Sequence, residues 1–343
     1  MLDPTSKTFQ SLTTTSNRHT GELLAAALDV PYPPIQLAAV QALIDRGSIG
    51  EQLEAVARYP HFPHEIRAFL EASATSLVPA MRECLLGGSG EWAAPALELA
   101  RAGEAYGAIE PILELLASDR QDRHEEAVQT LRSLVNRLYD HLHGHQESKS
   151  NRLKIAPQIG QITLTALGKS LAPLAATSHT ELVIESILAL GGPGHAIAEN
   201  VLNASNQECR SIARNLLMTS RHPGVMRFVL ESLSRTYPSP DVLKAVENRD
   251  DPEFVLAALR WVPERWTRTQ EQNLRQIERI AWLSDGGEGL SWIPEELQPA
   301  LIRFVSATGL PQEETLKPRV ERALADMAED DKTDSALKPA KRL

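Results

Sequence analysis

The sequence predicts an all-α protein: helical hairpins stacked into a right-handed α-α superhelix, an α-solenoid, closed by a helical C-terminal cap. Three observations predict it. The 343 residues are 42% hydrophobic but only 5% aromatic, so the core is built from Leu, Ile, Val and Ala, which suits close-packed helix pairs better than a β-sandwich. Apolar residues recur at helical spacing along most of the chain, in segments of hairpin length. The second helices of these hairpins also share a pattern, with a small residue at i+3 and usually an aliphatic residue at i+7. It reads Gln36/Ala39/Leu43, Glu65/Ala68/Ala72, His124/Ala127/Leu131, Val183/Ser186/Leu190, Arg210/Ala213/Leu217 and Val255/Ala258/Val262. The rows fall roughly 27–31 residues apart or a rough multiple of that, with one irregular step before Val255, and small residues in one column let neighbouring helices approach closely.

Residues 1–18 are rich in Ser and Thr and lack helical period, so they are expected to form a disordered arm. Hairpins then run over 19–262. Leu23, Leu24, Ala27 and Leu28 form a first face, Pro31, Pro33 and Pro34 break it, and a second helix runs through Leu37, Val40 and Leu43 to a stop at Gly47. Helices follow at Ile49–Tyr59, His64–Ala72, Leu77–Leu86 and Trp92–Arg101. The central hairpin is the strongest. Ile109, Ile112, Leu113 and Leu116 lie at i, i+3, i+4 and i+7, and after a polar break come Ala127, Leu131, Leu134, Val135, Leu138 and Leu142. Such a hairpin cannot bury both apolar faces alone and needs a neighbour on each side. A polar loop over Gly144–Asn151 leads to helices near Ile159–Leu174, Glu181–Leu190, His195–Leu202, Glu208–Met218 and Val225–Ser234.

The segments Ala108–Val135 and Asn200–Ser220 resemble HEAT repeats, with paired antiparallel helices and a second helix of the type R-x-x-A-x-x-x-L, best met by Arg210, Ala213 and Leu217. The resemblance covers about residues 20–262 and implies the solenoid fold and a binding role. Two departures from the family pattern stand out: no row carries a clean Asp-Val-Arg signature, and Pro95 is expected to interrupt one of the second helices. After Pro263 the texture changes. Leu274, Ile277, Ile280 and Ala281 suggest one longer helix, Asp285–Gly289 a loop, and Leu297, Ala300, Leu301, Phe304 and Val305 a further face, as do Leu316, Val320, Ala323, Leu324 and Met327. Residues 263–327 are therefore read as a helical cap, and the charged, aperiodic residues 328–343 as a disordered tail.

The formal charge is −10, from 35 basic and 45 acidic side chains. Phosphate contacts dominate nucleic-acid affinity, so this balance disfavours a nucleic-acid or anionic-membrane partner. No signal peptide and no span-length apolar run is visible, and a monomeric cytoplasmic protein is expected. Of the two cysteines, Cys84 falls on an apolar face and reads as a buried small hydrophobe. Cys209, beside Arg210 near a helix start, is in a position that lowers a thiol pKa.

Several groups carry chemistry. His141, His143 and His145 follow one another near a helix end, where the dipole favours them, and the i, i+4 pair His141 and His145 has metal-ligand spacing. His64-Glu65 and His124-Glu125 resemble the His-Glu pairs that hold two irons in deoxyhypusine hydroxylase, a HEAT-like enzyme. That family carries four pairs; two stand here, out of register, and Thr180 separates His179 from Glu181. The glycine runs Gly87–Gly90 and Gly191–Gly194 precede helices, where phosphate can bind, but no Lys-Ser/Thr follows and hairpin turns account for them. The most unusual stretch runs from Arg260 to Arg268, in which Arg260, Trp261, Arg265, Trp266 and Arg268 interleave cations with aromatics. Such residues are enriched at binding hot spots; the alternative is that both tryptophans pack the junction between the repeats and the cap. HEAT-like DNA glycosylases use Trp, Asp and Arg on a concave surface, which is the precedent for the second enzymatic alternative.

The expected function is thus a non-catalytic intracellular scaffold, needing no cofactor. It binds a protein or peptide partner, acidic or phosphorylated, through the concave face and through Arg260, Trp261, Arg265, Trp266 and Arg268. The alternatives are a metal-dependent enzyme using the His-Glu pairs and a nucleic-acid-binding protein or DNA glycosylase.

Overall fold

The computed structural model describes residues 4–15, 17, 19–87, 90–144, 156–175, 177–284 and 292–309. These residues form nineteen α-helices and short 3₁₀ turns, and no strand is found among them. The chain divides into two compact units, Met1–Leu190 and Gly191–Leu343. Among the described residues no helix is long and apolar enough to cross a membrane.

The first unit holds α1 (Pro4–Thr14), α2 (Thr20–Leu28), α3 (Pro33–Arg46), α4 (Ile49–Ala57), α5 (His64–Ala72), α6 (Val78–Leu86), α7 (Ala93–Ala102), α8 (Ile109–Leu116), α9 (His124–His143), α10 (Ala156–Leu174) and nearly all of α11 (Thr180–Gly191). Packing follows two interleaved series. Helices α2, α4, α6, α8 and α10 each touch the next in that series, and so do α1, α3, α5, α7 and α9. Hairpin contacts such as α6 with α7 and α8 with α9 join the series. The apolar stripes explain this order. In α8, Ile109, Ile112, Leu113 and Leu116 are buried, and α9 buries Ala127, Leu131, Leu134, Val135 and Leu138. Each fully buried Leu or Ile contributes about 1.5–3 kcal/mol.

Three helix ends of the first unit are closed by side-chain cations. The last carbonyls of a helix have no partner within it, and here guanidinium groups from later elements reach them. Arg46 Nη1 donates to Leu12 O at 2.9 Å and Thr15 O at 2.8 Å, Arg120 Nη1 to Leu85 O at 2.9 Å, and Arg137 Nη1 to Arg101 O at 2.8 Å.

In the second unit, α12 (Ala196–Leu202), α13 (Gln207–Thr219), α14 (Pro223–Ser232), α15 (Pro240–Asn248) and α16 (Pro252–Trp261) precede α17 (Arg268–Leu274), α18 (Ala281–Ser284) and α19 (Gln298–Thr308). Again α13 touches α15 and α14 touches α16, with α19 packed on α16 and α17. Arg249 is the largest fully buried side chain of the described residues. Its guanidinium bonds both Asp251 oxygens, at 2.8 and 2.9 Å, and reaches Leu217 O at 3.3 Å. It also lies 4.4 Å from the centre of the Phe254 ring.

Four expectations are corrected. The Ser/Thr-rich start is not wholly an arm without structure: α1 spans Pro4–Thr14 and packs on α3. Its hydroxyls bond back to the preceding turn, Ser11 Oγ to Lys7 O at 3.0 Å and Thr13 Oγ1 to Phe9 O at 2.9 Å, so they do not compete with the helix. Pro95 does not interrupt α7. It sits in the first turn, where its missing N–H would have had no partner anyway. In α5 the row Glu65/Ala68/Ala72 faces solvent, and the buried residues are Ile66 and Leu70; bulk apolar side chains, not small ones, set which face turns inward. The longer helix through Ile280 also fails. It stops after Leu274, because Glu278 N–H is taken by Glu247 Oε1 at 3.1 Å and Arg279 Nη2 by Asn248 Oδ1 at 2.6 Å, while Ile277 and Ile280 are still buried. The loop over Asp285–Gly289, the face from Leu316 to Met327 and the 328–343 tail lie outside the described residues.

Candidate functional site

The stretch from Arg260 to Arg268 joins α16 to α17. Val262 ends α16, and Pro263 follows it, as proline commonly does after a helix end. Thr267 starts α17 with a capping box: its Oγ1 accepts the Gln270 N–H at 3.2 Å, and Gln270 Oε1 accepts the Thr267 N–H at 3.0 Å. Two amides then fasten α17 to the chain after α14. Gln270 Nε2 donates to Ser234 Oγ at 2.9 Å, and Asn273 Nδ2 to Leu233 O and Arg235 O at 2.9 and 2.6 Å. The connection they hold carries Tyr237, which is 88% exposed.

The tryptophans and the arginines part company. Trp261 and Trp266 are half-buried, with ring centres 5.6 Å apart. Trp266 continues to Phe304 at 6.4 Å and donates its Nε1–H to Arg303 O at 3.1 Å, and Trp282 lies 5.7 Å from Phe304. This aromatic cluster joins α16 to α19. Arg260, Arg265 and Arg268 are exposed. Among the described residues no ion pair is found for these three, whereas Arg214, Arg235 and Arg249 pair with Asp241, Glu199 and Asp251. The stretch therefore combines a packed aromatic pair with three exposed guanidinium groups close to it in sequence, and guanidinium groups suit a carboxylate- or phosphate-bearing ligand.

The other candidate residues are placed as follows. His64 and Glu65 are exposed, and the two His-Glu pairs form no common cluster: among the described residues no three His, Cys, Asp or Glu gather as a metal-holding group. His141 Nε2 lies 3.0 Å from Glu104 Oε2, and the His143 ring is 5.2 Å from Tyr139; His145 lies outside the described residues. Gly194 N–H donates to Glu199 Oε1 at 3.1 Å, so the protein's own carboxylate takes the place an anion would need there. Burial pushes the Cys84 thiol up to about 12. Cys209 is also raised, by burial and then by Glu208, against the expectation of an activated thiol. Arg210 does not help it, because its guanidinium Nε bonds Ala204 O at 3.0 Å.

One pairing was not legible as such in the sequence. His124 and His179, 55 positions apart, meet with His179 Nε2 3.1 Å from His124 Nδ1. Burial, and then His124, hold the His179 imidazole below the usual histidine range. The signal was present only as two histidines at starts of helices α9 and α11, which spacing alone does not join.

No family model matches the chain, and neither curated proteins nor solved structures yield a significant match.

Proposed function

We propose that this protein is an α-solenoid of HEAT-like hairpins acting as a non-catalytic interaction scaffold, and that it binds an acidic or phosphorylated peptide segment at Arg260, Arg265 and Arg268. The observation that carries this reading is the exposure of three arginines without ion pairs among the described residues, in a chain of net charge −10. A guanidinium with no carboxylate of its own offers its full donor set to a planar oxyanion. The Trp261–Trp266 pair adds apolar surface in the same stretch, and the amides of Gln270 and Asn273 anchor α17 next to it. The skip-one packing of helices within each unit supports the solenoid part of the proposal.

A peptide array tests the binding reading. Glu/Asp-rich peptides and phosphoserine peptides are expected to retain the labelled protein, and neutral and Lys-rich peptides of equal length are not. Arg265→Glu reverses one of these charges and is expected to abolish the preference. Equal retention across all four peptide classes, or a preference unchanged by Arg265→Glu, contradicts the proposal.

A further inference from the structure

We propose that His124 and His179 form a two-histidine site for a borderline divalent metal ion, of the class Cu²⁺, Ni²⁺ or Zn²⁺, with water completing its shell. Leu115 stands next to His124. Its carbonyl oxygen can only accept, so the His124 Nε2 at 3.1 Å carries the proton and donates it. Neutral His124 then presents an unprotonated Nδ1, and that lone pair is aimed at His179 Nε2, 3.1 Å away. A histidine whose second ring nitrogen is held by a backbone carbonyl has the tautomer and the orientation that metal-ligating histidines use.

The distance fits one shared ion. Two imidazole nitrogens each about 2.0–2.1 Å from a metal stand roughly 2.9–3.4 Å apart for ligand angles from about 90° to about 109°. The ring centres are 5.0 Å apart and the rings are inclined by 77°. That is closer than two imidazoles set head-on at this nitrogen separation would lie, so the ring axes through the two nitrogens are not collinear. Both residues are half-buried, so solvent reaches the pair. Imidazole donors select this class of ion over Mg²⁺ or Ca²⁺.

The proton balance is simple. In the metal-free pair His179 Nε2 carries a hydrogen and donates it to His124 Nδ1. On binding, that hydrogen moves through solvent to His179 Nδ1, both rings stay neutral, and no proton is released overall. The ion would clip the first residue of α9 to the residue preceding α11. This differs from the His-Glu expectation, in which Glu125 was the companion ligand; Glu125 is exposed and does not enter the pair.

The test uses the full chain, freed of metal by chelation, titrated calorimetrically with Ni²⁺ and Zn²⁺ and followed by Cu²⁺ electron paramagnetic resonance. The proposal expects one saturable site per chain, tightest for Cu²⁺, and nitrogen couplings from two imidazoles. His179→Gln keeps an amide donor toward His124 and so protects the fold while removing a ligand; it and His124→Ala are each expected to eliminate the site and the accompanying rise in Tm. The chain has ten histidines, so undiminished binding in His179→Gln would place the ion elsewhere and overturn the proposal. Absence of any saturable binding in the unsubstituted chain overturns it equally.

Discussion

Arg249 shows how much one residue can hold. A buried cation is costly unless paired and hydrogen-bonded, and this one has a bidentate carboxylate, a helix-end carbonyl and an aromatic face. Asp251 in turn caps α16, accepting the Phe254 N–H at 3.1 Å. Arg249→Ala strands Asp251 and the Leu217 carbonyl and is expected to destabilise the second unit by about 3–5 kcal/mol in urea unfolding. Burial pushes the Asp251 carboxyl up, but the hydrogen bonds and charge of Arg249, with the backbone N–H groups, outweigh it and leave it below the usual carboxylate range. A depressed carboxylate stabilises the fold at neutral pH. That contribution fades as pH falls from about 3.9, the unfolded value, through the lower folded value. Asp251→Asn is expected to lower stability at pH 7 while flattening that acid limb; an unchanged acid limb would remove Asp251 from it. Little of this was legible in the sequence, where neither Arg249 nor Asp251 stood out in any pattern. Burial of a charge depends on what later elements place around it, and Leu217 is 32 residues away. Cys209 teaches the same point, since its neighbour Arg210 turns to a carbonyl and leaves the thiol to its buried surroundings.

At the scale of elements, the strongly periodic stretches were readable and the conflicts were not. α8 and α9 begin and bury as their stripes require, because a wide aliphatic face outweighs local competition. α5 kept its expected span, His64–Ala72, yet turned its alanines outward, since Ile66 and Leu70 had more surface to remove from water. The 274–281 stretch had helical spacing, but Glu247 and Asn248 captured its polar groups. Close approach matters where the chain turns. At Gly103 an added Cβ would stand 2.4 Å from Ala74 Cβ and 2.7 Å from Glu71 O. Gly103→Ala is therefore expected to cost about 1–3 kcal/mol through overpacking, read as a lowered Tm; an unchanged Tm would show that this contact yields freely. Beside the candidate site, Thr267→Ala removes the capping box and is expected to cost about 1 kcal/mol, measured by the same melt.

For the whole molecule, the all-helical composition was legible because a chain with few aromatics and abundant Leu and Ala has few other ways to build a core. The stretch from Arg260 to Arg268 was legible as unusual, with its tryptophans readable either as binding anchors or as packing at the junction of repeats and cap, and sequence alone did not separate them from the arginines. Sequence order interleaves Trp and Arg, whereas the structure sends Trp266 toward Phe304 and leaves the guanidinium groups outside. The proposed scaffold therefore rests its specificity on the exposed charges and its rigidity on the aromatic cluster. Substitutions of the two kinds are expected to separate: Trp266→Ala lowers Tm, and the arginine substitutions leave it in place.

The most direct measurement is a fluorescence titration of a labelled phosphoserine peptide against the unsubstituted chain and the triple variant Arg260→Ala/Arg265→Ala/Arg268→Ala, with melting curves recorded for both. The account predicts equal Tm values and a loss of affinity of about tenfold or more, which corresponds to about 1.4 kcal/mol, together with weaker binding of the unsubstituted chain as salt is raised. Equal affinity in two equally folded proteins would contradict it.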